Sequence, residues 1–108
     1  MTIAAVPAEV TLRVSTVTSS SGHSVVRVEG PLTFIGSTHL SDVLEILIAA
    51  KRLIITVDLS HAEWDHRAGL RVLSRAYRAQ RAAGGRMMIT GTHGRLQRIL
   101  TAAGLPAA

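Results

Sequence analysis

The sequence predicts a single α/β domain built on a small, mostly parallel β-sheet with helical cover. The chain has 108 residues, enough for one hydrophobic core but too few for two. Apolar residues make up 47% and charged residues only 18%, which excludes a disordered chain. Two early segments alternate apolar and polar residues, and short apolar runs then alternate with segments of helical spacing. The predicted order is β-β-α-β-α-β-α.

The first two strands are predicted from period-two alternation. Apolar and polar residues alternate over 10–15 and again over 26–29, as in half-buried strands. A serine-rich segment, 18–23, separates the two. We therefore expect an antiparallel pair that ends at Gly30 and Pro31.

The next two elements are a helix and a buried strand. The helix has one apolar face, made of Leu40, Val43, Leu44, Leu47 and Ile48. Gly36 and Ser37 are candidates to cap its start. The run 53–57 is short and β-branched, which predicts a central strand covered on both faces. A polar loop is predicted over 61–68.

The remaining elements are two helices around a short strand. We predict a helix over 69–83, stopped by Gly84 and Gly85, and a buried strand at 87–89. A third helix ends at Gly104, with Leu105 as its apolar follower.

Composition excludes several classes of protein. The absence of cysteine excludes disulfide scaffolds, thiolate metal sites and cysteine nucleophiles. Three aromatic residues are too few for a base-stacking platform. The N-terminus lacks the features of a signal peptide, and no apolar run reaches membrane-spanning length. We predict a soluble cytosolic protein.

Charge is distributed unevenly along the chain. Residues 1–66 contain all seven acids and carry a net charge of −3, whereas 67–108 contain eight arginines and no acid. Four arginines, Arg67, Arg71, Arg75 and Arg78, fall on one helical stripe. This stripe is either a solvated helix face or a docking surface for an acidic protein or a phosphate group.

No complete active site is visible, so we predict a non-enzyme without metal or cofactor. His61, Glu63, Asp65 and His66 crowd one loop, but a zinc-deaminase site would also need a Pro-Cys-x-x-Cys segment. We interpret the four as a polar loop. The segment 91–94 opens a helix, where anions bind, but it lacks the Lys-Ser/Thr ending of a P-loop. His93 is predicted to start that helix.

The stretch 57–73 resembles the signature of the STAS family, which includes anti-sigma factor antagonists and cytoplasmic domains of sulfate-type transporters. Asp58-Leu59-Ser60 and Gly69-Leu70 match the pattern at its expected separation. The turn 82–86 and the ending 98–105 are also typical. The resemblance implies a small mixed sheet of about four strands, with three or more helices packed mainly on one side. It places a STAS-like domain at 10–105, an N-terminal segment at 1–9 and a tail at 106–108, without the family's usual last strand.

The functional positions of the family differ in this chain. The motif aspartate is replaced by His66, the phosphorylated serine by Arg67 and the following Ser/Thr by Ala68. A second aspartate is replaced by Thr33. Arginine has no hydroxyl to phosphorylate and carries the charge opposite to that of phosphoserine.

The resemblance therefore implies a bacterial regulatory protein, similar to an anti-sigma factor antagonist, that binds without the phosphoserine switch. The expected partner is an anti-sigma factor of the serine kinase type or another protein of such a pathway. The expected contact residues are Thr33, His66, Arg67, Ala68, Gly69, Arg71, Arg75 and Arg78.

Two other functions remain open. The first is an anion- or small-ligand-binding module of transporter type, with the ligand near Arg67 and the helix start. The second is nucleic-acid binding through the basic segment 67–108. The lack of a helix-turn-helix or RNA-binding motif disfavours nucleic acid.

Overall fold

A computed structural model describes residues 13–19, 21–32, 34–63 and 67–107. Seven elements occur in the predicted order. They are β1 (Arg13–Thr18), β2 (His23–Pro31), α1 (Phe34–Ala49), β3 (Ile54–Glu63), α2 (Arg67–Ala82), β4 (Arg86–Thr90) and α3 (Gly94–Ala102). The predicted strand residues 10–12 lie outside the described part of the chain.

The strands form one mixed sheet in the order β1-β2-β3-β4. β1 and β2 are antiparallel, as predicted from the short connection between them. The β2–β3 and β3–β4 pairs are parallel, and each is joined through a helix. The mixed α/β fold is therefore confirmed.

One face of the sheet forms the core with the helices. The register aligns Val26, Val57 and Ile89 across β2, β3 and β4, and all three are buried. The helices contribute apolar side chains to the same cluster, namely Leu40, Leu44, Leu47, Leu73, Ala76 and Leu100. The buried members of this cluster are aliphatic residues and Met87, so burial of aliphatic surface holds the helices against the sheet.

The opposite face of the sheet is less buried. Its residues include Thr56 in β3, which is half-buried, and Met88 in β4, which is 47% exposed. The prediction that the central strand is covered on both faces was therefore wrong. β3 alternates instead, with Ile55, Val57 and Leu59 on the core side.

Two element boundaries differ from the prediction, namely the end of β3 and the start of α1. Pro31 pairs with Glu63, and the Leu32 N–H donates to the Glu63 carbonyl at 2.7 Å. Residues 61–63 therefore belong to β3 rather than to a polar loop. α1 begins at Phe34. Gly36 and Ser37 are therefore buried inside its first turn and do not cap it.

The C-terminal part follows the prediction more closely. Gly104 has φ +82°, and the Leu105 N–H donates to the Leu100 carbonyl, which ends α3 as expected. His93 is the N-cap residue of α3. Ala107 forms an isolated parallel bridge with Ile89, so the predicted tail adds one residue pair to the sheet.

Candidate functional site

The first half of the family-like signature forms a hydrogen-bonded turn within β3. Asp58 Oδ1 accepts one hydrogen bond from the Ser60 N–H at 3.0 Å and another from Ser60 Oγ at 2.6 Å. The turn coincides with a β-bulge, because Asp58 pairs with Arg27 whereas His61 pairs with Glu29. The bulge places one extra residue in β3 just before the strand ends.

The electrostatics of this turn keep Asp58 ionised. The side-chain hydrogen bond from Ser60 lowers the pKa of Asp58 most, and the Ser60 backbone bond lowers it further. Burial opposes these effects, while electrostatic attraction to Arg27, with Nε 3.6 Å from Asp58 Oδ2, and a smaller contribution from His61 also lower the pKa of Asp58. A carboxylate held in this way positions the backbone and is poorly suited to donate a proton.

Gly91 packs closely against the Asp58–Ser60 turn. It follows β4, has φ +75°, and approaches the backbone of Ser60 closely. A Cβ atom at this position would lie 2.5 Å from Ser60 N and 2.8 Å from Asp58 Oδ1. Only glycine satisfies both the left-handed conformation and the close approach.

The second half of the signature lies at the start of α2. Arg67 is the first residue of the helix and is exposed, whereas Gly69 is buried. Of Ala68 only the helical backbone is described. Thr33 and His66, which the sequence also assigns to the contact surface, lie outside the described residues.

The predicted arginine stripe is present on α2. Arg67, Arg71, Arg75 and Arg78 are all exposed, while Leu73 on the inner side is fully buried. Considering only residues that the structure describes, none of the four makes an ion pair or a side-chain hydrogen bond. The ion pair found in the described part of the chain joins Arg27 and Asp58 on the sheet.

The four polar residues of the segment 61–66 are only partly described. His61 and Glu63 are exposed at the end of β3, and Asp65 and His66 lie outside the described part. Within that part, no group of three or more metal-ligating side chains comes together.

Sequence reasoning missed a buried amide at the other end of α2. Gln80 Nε2 donates to the carbonyls of Arg52, Leu53 and Arg86, at 2.7, 3.3 and 3.3 Å. Gln80 thereby fastens α2 to the segments that open β3 and β4. The signal was a polar residue seven positions after Leu73, on the buried face of the helix.

Comparison with known proteins identifies the family. The model of the STAS domain matches residues 15–107, and the chain belongs to this family. Comparison with curated protein sequences gives no match. Within the described ranges, no helix has the length and apolar character needed to cross a membrane.

Solved structures share the fold at low sequence identity. An anti-sigma factor antagonist from Mycobacterium paratuberculosis is 20% identical, with 90% of this chain and 85% of that chain covered and a TM-score of 0.75. SpoIIAA from Bacillus in its phosphorylated form is 14% identical, with 89% and 91% covered and a TM-score of 0.75. A variant of RsbS from Moorella thermoacetica is 22% identical, with 89% and 86% covered and a TM-score of 0.73.

Proposed function

We propose that this chain is a non-catalytic regulatory STAS protein, similar to an anti-sigma factor antagonist, that acts by protein–protein contact in the bacterial cytoplasm. The observation that carries the proposal is the arginine stripe of α2, which begins at the signature position itself. Its four side chains are exposed, and within the described residues none of them forms an ion pair, although Glu45 of α1 lines the same small cavity as Arg75. Unpaired charges of one sign favour a partner of the opposite sign.

The contact works without a serine switch. Arg67 stands where the family resemblance places the phosphorylated serine, and it has no hydroxyl oxygen to accept a phosphoryl group. A phosphoserine would bring a charge of about −2, whereas Arg67 contributes a fixed positive charge. The complex is therefore constitutive with respect to this position, and its partner presents acidic groups to Arg67.

The proposed surface is centred on the start of α2 and the arginine stripe. On the family resemblance alone, we also assign to it Thr33, His66, Ala68 and the buried Gly69. The Asp58–Ser60 turn, held by Gly91, fixes the end of β3 that leads to this surface. The proposed partner is an anti-sigma factor of the serine kinase type or another protein of the same pathway.

Affinity purification with matched charge variants tests the proposal. Arg71→Gln/Arg75→Gln/Arg78→Gln removes three charges from the stripe, and Arg13→Gln/Arg95→Gln/Arg98→Gln removes three exposed charges elsewhere. We expect a kinase-like anti-sigma factor to be captured by the wild type and by the control triple variant, and to be lost with the stripe variant. Equal capture by all three proteins would contradict the proposal, and a membrane permease in its place would support the transporter-type alternative.

Phosphopeptide mapping tests the missing switch. After incubation with the captured kinase and ATP, we expect no phosphate on the peptide that contains Arg67. Arg67→Ser restores an acceptor oxygen and serves as the positive control. Phosphate on Ser60 or Ser74 of the wild type would show that the switch has moved rather than been lost.

A further inference from the structure

β4 is an edge strand whose outer side is only partly paired. Its inner side pairs with β3 from Arg86 to Thr90. On the outer side the Ile89 N–H donates to the Pro106 carbonyl at 3.0 Å. Backbone groups two residues apart in a strand point to the same edge, so the Met87 N–H and C=O also point outward. Among the described residues, no backbone group pairs with Met87 on that side.

An open groove of about 660 Å³ runs along this unpaired edge. Tyr77 and Arg81 of α2 form the wall on the core side of the sheet. Arg86 and Met88 form the wall on the opposite side, because they alternate with the buried Met87. Pro106 closes the groove where the C-terminal segment reaches Ile89.

The groove is positively charged on both walls. Arg81 and Arg86 are exposed, and the Arg81 guanidinium carbon lies 5.7 Å from the centre of the Tyr77 ring. Arg81 Nη1 also donates to Tyr77 Oη at 3.1 Å, which holds the two side chains together. No acidic residue occurs anywhere from 67 to 108 to neutralise them.

The geometry points to binding of an extended acidic segment of a protein partner, which pairs with β4 at Met87, short of the position where Pro106 and Ala107 reach Ile89. The backbone of the segment pairs with the N–H and C=O of Met87, which is how peptides add to sheet edges. Its side chains alternate between the two walls, so carboxylates reach Arg81 on one side and Arg86 on the other. This groove is separate from the arginine stripe, and the inference does not depend on the proposed function.

A capped peptide of sequence Val-Glu-Glu-Val-Glu-Glu-Val is a suitable probe, because it presents carboxylates to both walls. Hydrogen exchange of the Met87 amide, followed by NMR, reports strand addition directly. We expect the peptide to slow this exchange at least tenfold. A control peptide with N-methylated backbone amides should give no protection, and one with glutamine in place of glutamate should bind about tenfold more weakly.

Charge variants test recognition by the walls. Arg81→Gln/Arg86→Gln should weaken binding of the peptide about tenfold, the sum of two exposed ion pairs. Arg95→Gln/Arg98→Gln loses the same charge outside the groove and should bind like the wild type. Unchanged Met87 exchange at millimolar peptide, or equal binding of the N-methylated peptide, would overturn the inference. Slower exchange of the Met87 amide at higher protein concentration, without peptide, would also overturn the inference. That result would assign the edge to pairing with a second copy of this chain.

Discussion

The two halves of the STAS signature differ in how the rest of the molecule holds them. Asp58 and Ser60 in the first half are joined by two hydrogen bonds and packed against Gly91, which follows β4. Arg67 in the second half is exposed and begins a stripe of arginines without partners among the described residues. The first half also matches the family pattern, whereas the second departs from it at Arg67 and Ala68. The first half is therefore held by the fold, whereas the exposed second half belongs to the contact surface proposed above.

The largest expected effect is in the first half, at Gly91. Gly91→Ala combines a left-handed backbone with overlap against the Ser60 backbone and should cost about 3 kcal/mol of unfolding free energy. Gly94→Ala is the matched control, because Gly94 also has positive φ but has open space around it. The control should cost about 1 kcal/mol. Urea unfolding measures both free energies of unfolding. Equal losses in the two variants would mean that the close contact with Gly91 does not hold the Asp58–Ser60 turn.

A smaller effect is expected at Ser60. Ser60→Ala removes the shorter of the two hydrogen bonds to Asp58 and should cost about 1 kcal/mol at neutral pH. Ser74→Ala, on α2, is the control and should leave stability nearly unchanged. Urea unfolding at neutral pH compares the two variants, and similar losses would show that the Ser60 hydroxyl does not support the turn.

The pH dependence of stability gives a second test of the Asp58–Ser60 turn. The pKa of Asp58 is lower in the folded state than its ordinary value of 3.8, so the folded state binds fewer protons there. The resulting stabilisation is fully present above pH 3.8 and is lost as the pH falls through the lower folded-state pKa. Ser60→Ala should raise the pKa of Asp58 toward its ordinary value, which an NMR titration of the carboxyl measures. An unchanged pKa would show that Ser60 does not hold the carboxylate.

The smallest effect on stability is expected in the second half. Replacing Arg71, Arg75 and Arg78 with glutamine should change the unfolding free energy by no more than about 0.5 kcal/mol, since all three are exposed and glutamine is a good helix former. Thermal unfolding beside the wild type measures this. A large loss would assign the stripe to the fold rather than to binding.

Much of the fold is predictable because short-range patterns of apolar residues show which face of each strand or helix is buried. Alternation in β2 and the helical spacing in α2 each report one buried face, and the structure places those faces in one core. The end of β3 was not predictable in this way, because residues 61–63 are held as a strand by pairing with β2. That pairing joins residues about 32 positions apart, and no local pattern records it.

In the candidate site, too, features set by local spacing were predictable and features set by contacts between distant segments were not. The arginine stripe was predictable, since a helix brings residues three and four apart to one face. The contact of Gly91 with the Asp58–Ser60 turn was not, because it depends on the register that pairs Asp58 with Thr90. Gln80 was missed for a related reason, as its three acceptors come from two other segments of the chain.

Association kinetics at two salt concentrations test the central claim that the second half of the signature determines binding. Surface plasmon resonance against the captured partner compares wild type, Arg71→Gln/Arg75→Gln/Arg78→Gln and the control Arg13→Gln/Arg95→Gln/Arg98→Gln. At low salt the stripe variant should associate about tenfold more slowly than both other proteins, because steering charges act on the association rate. At high salt, screening should remove most of that difference. Association of the stripe variant at the wild-type rate in low salt, or an equal loss in the control, would contradict the account.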